Sequence, residues 1–396
     1  MAAGGMRFSD HYAGSSLCAP SRCSLLTGLH TGHARIRDNA KVPLEPGDVT
    51  IAETLAEAGY VSGVFGKWGL GLPGSTGFPT EQGFDEFLGY ADQSKAHFYY
   101  PTQLETHDGV REIPENRDGA REVYSHDLIA DASLNFIRRH QERPFFLYIP
   151  FTIPHAEVLV PEDSLAEYRG RWEETPFGGG HYAAQPEPRA ARAAMITRMD
   201  RDVGRLLDLL EELNLSERTL VIFTSDNGPI TAGGQDIRFF DSAGPLRGRK
   251  FQFYEGGIRV PMVAHWPGRV PAGTTTERPS AFWDVLPTFA DLAGVSPPGG
   301  IDGVSFLPTL LGRPDDQAPP SDLYWEHRGE QALRMGNWKG RRAAPGAPIE
   351  LFDLTADLGE SLNLADRRPE EVAKIEQAMQ REHVDSERFP LQPRRR

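Results

Sequence analysis

Of 396 residues only two are cysteines, and the first opens a stretch with helix punctuation: Cys18 to Gly28 reads C-A-P-S-R-C-S-L-L-T-G. Pro20 suits the first turn of a helix, where its missing N–H costs nothing. Gly28 suits the end. Cys18 is then placed at a helix N-terminus, where free N–H groups and the helix dipole favour negative charge. Arg22, one turn on, has the fork geometry to grip an oxyanion. A nucleophile at an anion-binding helix end is equipped to attack a charged ester. Taken singly, Cys18 reads better as a small core residue and Arg22 as a surface charge; the complete string shifts the balance to the chemical reading.

Further groups fit the same chemistry. Gly59 to Gly71 (G-Y-V-S-G-V-F-G-K-W-G-L-G) puts Lys67 just after a short strand in a glycine-rich turn, a place suited to contacting an anion. His155 follows the apolar run Pro144 to Phe151, at the strand end where ligands bind in open α/β sheets. Ser225-Asp226-Asn227-Gly228 follows the strand pattern Thr219 to Thr224, and Asp226 with Asn227 offers hard oxygen ligands for a divalent cation. The same tripeptide is also ordinary turn chemistry. Lys250 lies in a basic loop with Arg247 and Arg249, and His97, Tyr99 and Tyr100 are candidates for lining a substrate pocket.

The elements that must position these groups alternate between strand and helix. Ile51 to Ala58, Asp127 to His140, Ala190 to Leu213 and Trp283 to Ala293 carry helical periodicity. Tyr60 to Phe65, Pro144 to Phe151, Thr219 to Thr224 and Val260 to His265 read as strands between them. Such alternation implies βαβ units, hence an α/β fold with a mostly parallel sheet sandwiched by helices. After the Pro- and Asp-rich segment Arg313 to Pro320 the pattern changes to short strands (Leu323 to His327, Ala332 to Met335, Trp338 to Arg341, Ile349 to Leu354). A helix near Pro369 to His383 and a basic tail, Arg394 to Arg396, follow. The expected division is a catalytic domain over 1–315 and a small C-terminal α+β subdomain over 316–396.

Composition narrows the partners. The net charge of −14 argues against nucleic acid, whose phosphates would be repelled, so an anionic substrate must be drawn by a local cationic cluster. Two cysteines allow no disulfide framework. No apolar run is long enough for a transmembrane segment. Met1 to Asp10 contain no apolar signal core.

The string C-x-P-S-R-x-x-x-L-T-G resembles the signature of the type I, formylglycine-dependent sulfatases, an arylsulfatase-like group within the alkaline phosphatase superfamily. Every fixed position matches. The resemblance extends, in order, through Lys67, Pro154-His155, Ser225 to Gly228 and the segment Gly248 to Arg259, where Lys250 precedes Y-E-G-G. It implies an alkaline phosphatase-like fold. It also implies that a formylglycine-generating or equivalent maturation enzyme converts Cys18 to formylglycine, whose hydrate is the nucleophile. Lys67, His155 and Lys250 would then bind the sulfate, and Asp226 and Asn227 would ligate Ca²⁺. A sulfated small molecule or glycan would be the substrate, and the compartment periplasmic or extracellular.

Two departures from the pattern stand out. Many members carry histidine two residues after the lysine, where this chain has Gly69. Members usually begin with a buried strand ending in an Asp-Asp pair that supplies two metal ligands, and that strand is expected to be missing here. Competing readings are a phosphoester hydrolase of the same superfamily, an inactive N-terminally truncated sulfatase-like protein, and an acyl hydrolase using Cys18, His155 and Asn227.

Overall fold

Helix α1 (Cys18–Thr27) begins and ends where its punctuation says, with Leu17 extended before it and Gly28 left-handed (φ 71) after it. The positive φ is the reason glycine closes this helix. In the computed structural model, which describes residues 1–392, the other principal helices are α2 (Ile51–Ala56), α3 (Ser125–His140), α4 (Pro188–Glu212) and α5 (Val285–Ala293). Thr50 and Glu53 form a reciprocal capping box that starts α2. The tail Arg394 to Arg396 lies outside the described residues.

The strands around these helices are β1 (Met6–Phe8), β2 (Val61–Lys67), β3 (Glu86–Tyr90), β4 (Gln103–Thr106), β5 (Gly109–Glu112), β6 (Phe145–Tyr148), β7 (Val221–Thr224), β8 (Met262–His265) and β9 (Thr274–Thr276). One sheet runs β5-β4-β3-β2-β6 and the other β9-β1-β8-β7. Parallel pairing occurs at β3–β2, β2–β6 and β1–β9; the remaining pairs are antiparallel. The fold is therefore α/β with helices on both faces. Strand β2 shows why: successive side chains point to opposite faces. Phe65 packs on Phe136 of α3, with ring centroids 5.7 Å apart, while Val64 joins the cluster that holds Leu26 of α1, Leu55 of α2 and Leu286 of α5.

The two sheets do not join. Among the described residues no strand pairs with the free edge of β6 or of β7. Every residue of β2 is buried, whereas all four residues of β6 and all four of β7 are only partly covered. Both edges border a slot of about 1620 Å³, walled by Phe146 and Tyr148, by Ile222 and Phe223, and by Val203 and Leu207 of α4.

The C-terminal part forms a four-stranded antiparallel sheet in chain order: β10 (Leu323–His327), β11 (Glu330–Met335), β12 (Trp338–Arg342) and β13 (Glu350–Asp353). Helix α6 (Pro369–Arg381) covers it through Ile375, Ala378 and Met379. The sheet docks by Trp325, whose indole N–H donates to the Ala13 carbonyl at 2.9 Å, and by Lys339. The fully buried Lys339 ammonium lies 2.8 Å from Glu255 and 2.9 Å from Glu360. Tyr12 donates to the other oxygen of Glu255 at 2.7 Å. Glu360 in turn accepts the Glu255 N–H at 2.6 Å and, through its carbonyl, Arg247 at 2.8 Å. The loop that carries Lys250 is thus braced from the C-terminal sheet.

Candidate active site

Cys18 is buried at the start of α1, and two lysines reach its neighbourhood from different elements. Lys250 Nζ stands 2.8 Å from Cys18 Sγ. Its loop is held by the Lys250 N–H to the Pro229 carbonyl (3.0 Å) and the Phe251 N–H to the Ser16 carbonyl (3.1 Å). Lys67 ends β2 and is buried as well. Burial alone would push the Cys18 thiol up. Lys250, Lys67 and Arg22 outweigh it and hold the group at about 5. Lys67 is lowered to about 8, chiefly by burial and further by Arg22 and Lys250, against the pull of Cys18. Cys23, five residues along the same helix but facing the core, is pushed up to about 12 by burial.

Two histidines join the lysines. His155 Nε2 lies 3.0 Å from Lys250 Nζ, and His97 Nε2 lies 3.2 Å from Lys67 Nζ. Their rings stack with centroids 4.1 Å apart. Burial and the neighbouring lysines keep both imidazoles far below their ordinary pKa, hence neutral. Since an ammonium only donates, each Nε2 is an acceptor and each proton sits on Nδ1. His155 spends its Nδ1–H on the Ala156 carbonyl at 2.7 Å.

Arg22 enters the cluster differently from its expected fork onto an oxyanion. Its Nη atoms donate to the carbonyls of Lys67 (2.9 Å) and Trp68 and to the Gln93 side chain. Its Nε lies 3.7 Å from Asp226. Arg22 therefore clamps the end of β2 and faces Asp226. Gly69 belongs to this clamp. A Cβ there would meet Gln93 Oε1 at 2.8 Å and Arg22 Nη1 at 3.2 Å, and its φ of +75 also favours glycine. A histidine at position 69 would displace the Arg22–Gln93 contact.

Asp226 and Asn227 follow β7 and look toward the slot; the Asp226 side chain is 33% exposed to it. Burial first, then the charge of Cys18, raises the Asp226 carboxyl. Asn227 Oδ1 is buried and has no donor among the described residues. An orphaned amide oxygen beside a carboxylate is a donor set for a hard cation, so the pair suits Ca²⁺ as two of its six to eight oxygen ligands. A separate group, His30, His33 and Asp302, is close enough to hold a metal. There, however, His30 Nδ1 accepts the Gly32 N–H at 3.1 Å, which puts its proton on the Nε2 that faces Glu382 and Asp302. That is a hydrogen-bonded arrangement.

Cys18, Arg22, Lys67, His97, His155, Asp226, Asn227 and Lys250 lie in or beside one cluster, whereas Tyr99 and Tyr100 pack with Tyr124 in the neighbouring core. Sequence reasoning missed Gln93 and Tyr182. Gln93 lies shortly before His97 in the sequence, and Tyr182 follows three glycines, Gly178 to Gly180, a pattern that marks a shaped loop.

A family model described as Sulfatase matches residues 1–295, and one described as N-sulphoglucosamine sulphohydrolase, C-terminal, matches residues 248–388. The chain is 34% identical to arylsulfatase A of Homo sapiens over 427 residues, covering 92% of this chain and 77% of that protein. It is 32% identical to N-acetylgalactosamine-6-sulfatase of Canis lupus familiaris over 369 residues, covering 86% of this chain and 65% of the other. Among solved structures it is similar to Ps i-CgsB in complex with k-i-k-neocarrahexaose, with a TM-score of 0.80, 26% identity, and coverage of 96% of this chain and 85% of that one.

Proposed function

The chain belongs to the sulfatase family and hydrolyses sulfate esters, and from that premise we propose that it does so at Cys18 through the cluster described above. The observation that carries this assignment is the Lys250 ammonium 2.8 Å from Cys18 Sγ, within a group of cations that holds the thiol at about 5. Cys18 Sγ marks the position of the nucleophilic atom. Once converted to formylglycine by a maturation enzyme, this residue supplies an aldehyde hydrate as the attacking oxygen. The residues around it do the rest. Lys67 and Lys250 bind the sulfuryl oxygens and neutralise the charge that builds on them, which is usually the largest single catalytic contribution. His155 and His97 keep their Nε2 lone pairs toward the two lysines and so hold both ammonium groups in place. Arg22 holds β2 and Asp226 in register.

Asp226 and Asn227 would hold Ca²⁺, which supplies positive charge against the sulfuryl group. Both side chains line the slot between β6 and β7, which leaves them open to further oxygen ligands. We read 1–315 as the catalytic unit and 316–396 as the subdomain that braces it. Sulfated aryl compounds or carbohydrates are the proposed substrates, in the periplasm or outside the cell. No helix among the described residues is long and apolar enough to cross a membrane. Neither a phosphoester hydrolase nor an inactive sulfatase-like protein is favoured.

The test is mass spectrometry of the Cys18 peptide after co-expression with a formylglycine-generating enzyme, alongside hydrolysis of 4-nitrophenyl sulfate. A thiol-to-aldehyde mass change is expected, and Cys18→Ala should lower turnover by about 10⁴-fold or more. An unmodified Cys18, or a Cys18→Ala variant as active as the parent, would overturn the assignment.

A further inference from the structure

The stacked histidines lead outward from Cys18 to a hydroxyl that the mechanism above does not use. Going out, Lys250 is 2.8 Å from Cys18 Sγ, His155 is 3.0 Å from Lys250, and the His97 ring lies on His155. Tyr182 Oη is then 3.3 Å from His97 Nδ1. Exposure rises along the series: Lys250 is 2% exposed, whereas Tyr182 is half-buried. Tyr182 therefore stands at the mouth of the site, yet near enough for its phenol to feel the charge of Cys18.

Proton bookkeeping fixes what this hydroxyl can do. The Lys67 ammonium donates to His97 Nε2, so the single proton of the neutral ring is on Nδ1. Nδ1–H donates to Tyr182 Oη. The phenolic oxygen is occupied as an acceptor and its own proton is left to donate, with no acceptor for it among the described residues. Tyr99, by contrast, already donates to the carbonyl of His155 at 2.8 Å.

The loop that carries Tyr182 is held in shape. Phe177 and Gln185 close its base with a reciprocal pair of backbone hydrogen bonds, both 2.9 Å. The Gln185 side chain donates to the Val158 carbonyl at 2.8 Å, and the Ala183 N–H, next to Tyr182, donates to the buried Glu157 carboxylate at 3.2 Å. Phe98 packs against Tyr182 with ring centroids 5.9 Å apart. Only the hydroxyl is left unassigned on an otherwise fixed side chain.

We propose that Tyr182 is a catalytic residue on the alcohol side of the substrate, donating its hydroxyl hydrogen bond to the ester oxygen that departs. The proposal rests on the sulfatase reading. In-line attack from Cys18 sends the leaving oxygen away from the nucleophile, toward the mouth, while the lysines deeper in the site hold the sulfuryl oxygens. As the S–O bond breaks, its electron pair stays on the departing oxygen, and a donor there gains strength as that charge grows. The gain is larger for a poor leaving group, whose oxygen carries more charge in the transition state.

The experiment compares phenyl sulfate with 4-nitrophenyl sulfate in the full chain carrying converted Cys18. Tyr182→Phe keeps the ring and its packing and removes only the hydroxyl. It should lower kcat/KM for phenyl sulfate by about 100-fold, the scale of losing one transition-state donor, and for 4-nitrophenyl sulfate by less than about 5-fold. A merely structural role would lower both equally, so equal losses, or none, overturn the proposal. A parent enzyme that cleaves neither ester overturns the sulfatase reading and the Tyr182 role with it; an active parent with equal losses overturns the Tyr182 role alone.

Discussion

The two ends of the site are built in opposite ways. Around Cys18 the polar side chains from α1, β2, the Lys250 loop and the segment after β6 meet at hydrogen-bonding distances, and the lysines are buried. Around Asp226 and Asn227 the support opens into the slot between β6 and β7, where whole strands are only half covered and Asn227 Oδ1 has no donor. The cationic half is complete from this chain's own residues, because lysines and histidines satisfy one another as donors and acceptors. The other half ends in acceptors, the Asp226 carboxylate and Asn227 Oδ1, that this arrangement leaves facing the slot.

Breaking the cationic half should have the largest effect. Lys250→Ala removes a buried charge next to the nucleophile, and kcat for 4-nitrophenyl sulfate should fall by about 10²–10³-fold. In the unconverted protein the same change should move the titration of Cys18, read by thiolate absorbance, upward from about 5. Next in size is a packing contrast. Leu286, buried on α5, should cost about 2–5 kcal/mol when changed to Ala, whereas Leu207, facing the slot from α4, should cost less than about 1 kcal/mol. Denaturant melts of the two variants measure this directly. Equal losses would mean that the slot is as well packed as the core.

The gentlest contrast is between the two cysteines of α1, again in the unconverted protein. Cys18 in the fold sits at about 5, below its ordinary 9.0, so its stabilising contribution is full above pH 9 and fades as pH falls toward 5. Cys23 sits at about 12, above 9.0, so its contribution is full below pH 9 and fades as pH rises toward 12. Cys18→Ala should remove a rise in stability between pH 5 and 9. Cys23→Ala should remove a fall above pH 9. Melting profiles across this range check both signs.

Much of this site is legible in the sequence, because its groups sit at the ends of regular elements. Cys18 begins a helix marked by Pro20 and Gly28, and Lys67, His155 and Asp226 each follow an apolar strand run. Strand and helix bounds moved by only a few residues, as at β7, expected from Thr219 and found from Val221. What the sequence hid depends on contacts between distant segments. The role of Arg22 turns on Gln93, which is 71 positions away, and the donor direction of Tyr182 turns on Lys67 acting through His97. The parting of the sheet between β6 and β7 leaves no local trace either, since an edge strand that awaits a partner carries the same apolar run as one that has it.

Lys339 gives the C-terminal sheet a significance beyond packing. Cutting the chain ahead of β10 would remove Lys339 and Glu360 together, and would leave Glu255 with Arg259, 3.2 Å away, as its cationic partner. Lys339 and the hydrogen bonds from Glu255 N–H and Arg247 to Glu360 would be lost from the base of the Lys250 loop. The two parts are therefore a poor pair to separate or exchange. A graft of another C-terminal sheet onto this catalytic part would have to bring both a cation for Glu255 and an acceptor for the Glu255 N–H to keep that brace.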